Sequence, residues 1–367
     1  MKRSSILIKD DAPEICRDLF PALQDSVYLD TGSAGLSFAG QARAAAQFYQ
    51  DKSSGYLALD MFQAKADSVR NRIAEWLKVQ ASEVEFFSGT TDALNIIGHS
   101  IHWRAGDEVV VAEDEFPSVR LAWQAAEKAG ANIKHVVIPS EAERESALIA
   151  ALSVNTRVLA VAHVHTFTGT RLDLDKLGAA CRSRDCLLVV DGIHALGATP
   201  VDLENVDVYI SGIFKWLLAG FGLAVCVVRE RARSRLRPAF RGYRNQPPDN
   251  GMQFSRENYP GLYVLEASLQ LLGDTVGWET VYARTAALVD WLAQALRAGG
   301  LELAAPQGAR AGIASFPVPD AMALRLRLAE KHMYAAAKGR YLRATPFFYN
   351  SRNDVECFAE EVLRHCG

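Results

Sequence analysis

The chain has 367 residues, 49% of them hydrophobic and 23% charged, and a formal net charge of −3. That composition describes a soluble globular protein with one large core and a smaller second one; it argues against disorder and gives no general attraction to nucleic acid or anionic membrane. No apolar run approaches a membrane span, and the start, MKRSSILIKDDAPE, lacks the apolar run of a secretory signal, so a cytoplasmic protein is expected. The six cysteines (Cys16, Cys181, Cys186, Cys226, Cys357 and Cys366) are scattered, without a CxxC pair or histidines at ligand spacing, and read as reduced packing thiols.

Up to about residue 27 the chain is mixed and reads as a segment wrapping onto other elements. VYLDTGSAGLS then joins a short strand to a Gly/Ser-rich turn where Ser33 and Ala34 can approach a ligand, although a plain strand-to-helix loop has the same composition. Residues 41–78 read as amphipathic helices interrupted by SSGY. In VEFFSGTTDALNIIGHSIH a strand runs through Gly89, Thr90 and Thr91 into a helix, whose free N–H donors and positive dipole end suit a phosphate. An ordinary N-cap looks the same.

DEVVVAEDEFPSVRLAW predicts another strand and a turn, fixed by Pro117, that carries Phe116. IKHVVIP and RVLAVAHV are two more strands with a helix between them; His163 and His165, with no third ligand nearby in sequence, read as polar packing rather than a metal site.

The stretch LLVVDGIHALGATPVDLENVDVYISGIFKWLLAGFG is where chemistry concentrates. One apolar run ends in Asp191; after a second, Lys215 sits between Phe214 and Trp216. A buried lysine loses solvation as ammonium, so its neutral amine becomes a nucleophile able to form a Schiff base, and a strand-end aspartate can hold a pyridinium nitrogen. The residues alone leave open that Lys215 snorkels from a helix edge and Asp191 caps a helix. Alternation of strand and helix from about residue 84 to 228 predicts an α/β fold, a mostly parallel sheet sandwiched by helices, with its ligand at the carboxyl ends of the strands.

RERARSRLRPAFRGYR crowds arginines together and reads as a solvated helix face and loop, or as an attractor of an anionic substrate. RNQPPDNGMQ is a linker, after which two amphipathic helices, GIASFPV, YAAAKG, YLRAT and a last helix make a small C-terminal α+β domain. The predicted divisions are 1–27, packing on the small domain, 28–245 as the large domain, and 246–367 as the small one.

VDGIHALGATPVDL followed by SGIFKWLLAGFG resembles the signature of class V aminotransferases, the branch of fold-type-I pyridoxal-phosphate enzymes that includes cysteine desulfurases, kynureninases and isopenicillin N epimerase-like proteins. The similarity runs from YLDTGSAGLS to YLRATPFFYN. It implies pyridoxal 5'-phosphate held by Lys215, with Asp191 on the ring nitrogen, Phe116 on the ring face, Gly89, Thr90 and Thr91 at the phosphate, and His194 and Thr166 at the ring oxygen. Arg343 would clamp the substrate carboxylate, beside Ser33 and Ala34. Lys215, Asp191 and His194 form the expected catalytic group.

Three departures stand out. Phe214 replaces the histidine or tyrosine that precedes the family lysine, leaving Ser211 as a substitute phosphate contact. Arg256 stands where relatives present a phosphate ligand from the partner subunit, and either pairs with the phosphate across a dimer interface or faces solvent. No cysteine occurs between Cys226 and Cys357, which argues against a persulfide-forming desulfurase. The resemblance therefore implies an enzyme acting on an amino acid or small amine through a Cα carbanion, first an aminotransferase. Carbon–sulfur lyase or epimerase chemistry, or cofactor binding without turnover, are the alternatives. A homodimer with active sites at its interface is expected, with no metal, nucleic acid or membrane partner.

Overall fold

The computed structural model describes residues 17–248 and 251–366; Cys16, most of the expected N-terminal segment and two linker residues, Asp249 and Asn250, lie outside the described residues. In chain order the strands are β1 (Val27–Tyr28), β2 (Val84–Phe87), β3 (Glu108–Ala112), β4 (Asn132–Val136), β5 (Thr156–Ala162), β6 (Leu187–Asp191), β7 (Val208–Gly212) and β8 (Ala224–Val228). These are followed by β9 (Ala314–Pro317), β10 (Met333–Tyr334), β11 (Ala336–Lys338) and β12 (Tyr341–Ala344). A seven-stranded sheet has the order β2-β8-β7-β6-β5-β3-β4. Only β8 runs against its neighbours, pairing antiparallel with both β2 and β7.

The sheet is covered on both faces, which is why β6 and β7 are buried at every residue and read as unbroken apolar runs. Side-chain alternation sorts the faces. Val109, Val111, Val158, Ala160, Leu187, Val189, Val208 and Ile210 join one core with Ala93, Leu94 and Ile97 of the helix Thr90–Ser100. Val110, Leu159, Val161, Leu188, Val190 and Tyr209 join the other, against the helices Ala39–Lys52, Leu59–Leu77 and Tyr259–Leu269. The predicted helical stretch 41–78 is thus two helices broken at residues 53–58.

A third core belongs to the small domain. There the antiparallel sheet β11-β12-β9 packs on the helices Trp278–Ala298, Ala321–Glu330 and Arg352–Cys366. β1 pairs in parallel with β10, and Leu29 lies in the small-domain core, so the contact with the small domain, expected of residues 1–27, continues to residue 29. The helix Tyr259–Leu269 was placed after the boundary at 245, yet its apolar face packs on the helix Ala39–Lys52 and belongs to the large-domain core.

The arginine run is structural. Arg229 pairs with Glu83, Arg231 with Asp207, Arg233 with Glu85, Arg235 with Asp185 and Arg244 with Glu257. Arg231, Arg233 and Arg235 also donate to backbone carbonyls around them. Among the described residues no helix is long and apolar enough to cross a membrane.

Candidate active site

The carboxyl ends of β6 and β7 meet the helix Thr90–Ser100 and a segment of the small domain. Asp191 ends β6, 5% exposed, and its carboxylate accepts from the backbone N–H of Ile193 at 3.0 Å. By the alternation along β6 it stands on the same sheet face as Leu187 and Val189, the face covered by the helix Thr90–Ser100. Burial raises its carboxyl pKa, while the Ile193 N–H and the charge of Lys215 pull it back.

Lys215 follows β7 on a loop gripped from outside. The Gly35 N–H donates to the Phe214 carbonyl at 2.9 Å, and Gln41 donates through Nε2 to the Leu218 carbonyl. A Cβ at Gly35 would lie 2.2 Å from the Lys215 carbonyl oxygen, so only glycine allows that approach. Leu218 itself is held at φ 58°, left-handed backbone that a leucine adopts at a cost of about 1 kcal/mol or more. The lysine ammonium is thereby aimed inward: Nζ is 3.1 Å from His194 Nε2 and 5.7 Å from the centre of the Phe214 ring.

Burial and then the cation of Arg343 lower the Lys215 pKa, against the opposing charge of Asp191, to about 7. His194 is pushed well below the ordinary histidine value, first by burial and then by Lys215, so its imidazole is neutral. The amine is the reactive form, and it is populated as pH rises through the lysine pKa. Covalent capture of an aldehyde by Lys215 is therefore expected to accelerate with pH up to about 7 and to level off above it. Stopped-flow absorbance across about pH 5 to 9, roughly two units on each side of the lysine pKa, reads this directly.

Gly89 precedes the helix Thr90–Ser100 in extended conformation, and no side chain caps that N-terminus. Its first N–H groups are thus available to an anion. The Thr90 hydroxyl oxygen accepts from the Gly212 N–H at 2.8 Å, tying the helix start to the end of β7. Thr91 is exposed and pairs with Ser118 at 2.7 Å, which brings the Phe116 turn to the same helix end. Phe116, 43% exposed, precedes the short helix Pro117–Leu121.

Arg343, on β12, is 1% exposed. It donates through Nη1 to the Thr166 carbonyl at 3.2 Å and through Nη2 to Ser33 Oγ at 3.0 Å, with Asp30 Oδ1 at 3.9 Å from Nη2. Ser33, Thr166 and Arg343, expected at one site, are in direct contact across the two domains. The Ala34 carbonyl accepts from the Tyr28 hydroxyl at 2.7 Å, so Ala34 shapes the turn.

Two expectations are corrected. Ser211 was expected at the phosphate; it lies with Tyr209 on the opposite sheet face from Thr90 and Asp191, is fully buried, and donates to the Gly212 carbonyl at 3.0 Å. The absence of further ligands near His165 also fails: Asp114 and Glu141 bring oxygens within 4.8 Å of its ring nitrogen. Arg144 fills that cluster, bonding Asp114 at 2.9 Å and Glu141 at 2.8 Å, so its positive charge is supplied by the chain. His163 is separate, 3.1 Å from the Tyr209 hydroxyl. Arg256 is exposed, and its backbone N–H donates to the Tyr243 hydroxyl.

Three members of the site were not anticipated. Asp30 faces Arg343. Lys338 acts on Lys215 and His194 through its charge, and is itself acted on by Arg343. Glu115, 3% exposed, accepts from the Ala162 N–H at 2.9 Å, and its charge raises the pKa of Asp191. Only the acid run AEDEF hinted at the last of these.

The family model for Aminotransferase class-V matches residues 27–356. The chain belongs to this family. Among class-V relatives, isopenicillin N epimerase of Amycolatopsis lactamdurans is 29% identical over 80% of this chain and 83% of its own length. The uncharacterized aminotransferase YcbU of Bacillus subtilis (strain 168) is 25% identical over 95% of this chain and 97% of its own length. The apo structure of a cysteine desulfurase from Thermococcus onnurineus NA1 superposes with a TM-score of 0.86 at 19% identity, covering 97% of this chain and 98% of that one, which shows the shared fold.

Pyridoxal 5'-phosphate is the cofactor of this class-V family, and the residues present fit it. His194 Nδ1, Arg343 Nε and Asp30 Oδ1 are buried without a hydrogen-bond partner among the described residues. An uncapped helix N-terminus, a strand-end carboxylate and an amine facing one neutral imidazole complete a donor set suited to a phosphate, a ring nitrogen and an aldehyde.

Proposed function

We propose that this class-V protein is an aminotransferase, moving the amino group of an amino acid donor to a keto acid acceptor. The observation that carries the reading is the Lys215 amine at 3.1 Å from a neutral His194, in a site whose opposite wall is the buried guanidinium of Arg343. One base that gives and takes a proton and one carboxylate anchor are what transamination requires of the protein.

The bound cofactor supplies an electron sink for the charge that develops at the substrate Cα. Asp191 would hold the proton at the ring nitrogen, and Glu115 adds a second negative charge that acts on Asp191. Thr90, Thr91 and the helix N-terminus would receive the phosphate, and Phe116 would cover the ring. Lys215 takes the Cα proton as a neutral amine and returns it; His194 stays neutral and takes the ring oxygen. Arg343 orients the donor through its carboxylate and keeps its charge at every relevant pH. No cysteine lies between Cys226 and Cys357 to carry sulfur, which favours this reading over desulfuration.

The proposed assembly is a homodimer. Phe221, stacked on Phe214 with ring centres 4.5 Å apart, is 72% exposed beside Lys215, and Tyr243, bonded to Arg256, is 56% exposed. A second copy would cover this apolar rim.

The test is the visible absorption of the cofactor-loaded protein during addition of an amino acid. Bleaching that persists and is reversed only by a keto acid is expected. Bleaching that recovers unaided while keto acid and ammonia accumulate would replace transamination with elimination.

A further inference from the structure

The face of the small-domain sheet that carries Arg343 carries a second cation. β11 and β12 pair in the register Ala336↔Arg343, Ala337↔Leu342 and Lys338↔Tyr341. Lys338 and Arg343 therefore project from one face as diagonal neighbours, about 7–8 Å apart at the backbone and within reach of each other's long side chains. Along this hairpin Arg343 is buried, whereas Tyr341 and Lys338 are half-buried, so Lys338 stands one pleat nearer the mouth.

The charges facing it are unbalanced. Arg343 and Lys338 both act on Lys215, Arg343 acts on Lys338, and Asp30 is an acid that attracts all three. Asp30 approaches the guanidinium at 3.9 Å, and the ion pairs among the described residues include none for Lys338. A further cation, Arg325, acts on Asp30 from the helix Ala321–Glu330. An α-carboxylate at Arg343 leaves the Lys338 ammonium desolvated and without an anion of its own, which is costly unless the ligand brings one.

We infer that Lys338 receives a second anionic group on the substrate side chain, so that the site selects an acidic amino acid of the aspartate or glutamate kind. This rests on the reading of Arg343 as the α-carboxylate anchor given above. Lys338 is a specificity residue: it adds affinity for dicarboxylic ligands and takes no part in moving the proton.

Calorimetric titration of the cofactor-loaded protein with glutarate and with butyrate tests this without any turnover, because neither compound carries an amino group. Glutarate is expected to bind at least about tenfold tighter than butyrate. Lys338→Met should erase that preference by weakening glutarate far more than butyrate, and Lys338→Arg should restore it. Equal binding of the two acids, binding of neither, or a Lys338→Met variant that weakens both alike would overturn the inference. If glutarate is preferred through Lys338 but no amino acid bleaches the visible band, the aminotransferase reading fails and the anion site stands.

Discussion

Lys215→Ala is expected to lower amino-acid turnover by about 10⁴-fold, the upper range for loss of a positioned general base, with little effect on folding. The amine makes one polar contact, to His194, while the loop around it is held by backbone bonds to Gly35, Leu218 and Ala219. Truncating the side chain removes the base and leaves these bonds in place. Relief of a desolvated amine also offsets lost packing. Pre-steady-state assays with the variant, alongside thermal melting, check both halves: activity gone and melting temperature preserved. Activity within about tenfold of wild type would show that another group moves the proton.

Arg343→Lys is expected to reduce kcat/KM for amino acids by about 30- to 1000-fold, the range for breaking a buried charge-assisted pair, even though the charge is kept. The guanidinium uses two nitrogens on Thr166 and Ser33 and presents a third, Nε, without a partner. An ammonium cannot satisfy that fork. Amines lacking a carboxylate should lose far less than amino acids, and this contrast separates an anchor from a strut between the domains. A parallel loss for both substrate types would assign Arg343 to domain packing instead.

The sheet and its helices were legible because buried strands and amphipathic helices leave unmistakable periods, as in β6 and in Ala93, Leu94 and Ile97. The Asp191 and Lys215 pair was legible for a related reason, since charges at the ends of apolar runs stand out. Pairings across the chain were not. Arg343 meets Ser33 across 310 sequence positions, and Lys338 reaches the site through a three-residue strand whose register only the fold defines. Ser211 was misplaced because spacing from Lys215 does not reveal which sheet face a residue takes; alternation along β7 decides it. The helix Tyr259–Leu269 was misassigned because a Pro/Gly-rich linker precedes it, although its aromatic face matches Phe48 and Phe62 of the large domain.

The account rests on one claim, that the carboxyl ends of β6 and β7 hold pyridoxal phosphate through Lys215. Borohydride reduction of the cofactor-loaded protein, followed by proteolysis and peptide mass mapping, tests it most directly, with Lys215→Ala as the control. A single phosphopyridoxyl label on the peptide containing Lys215, absent from the control, is the predicted result. A label on another lysine, or none, would contradict the account.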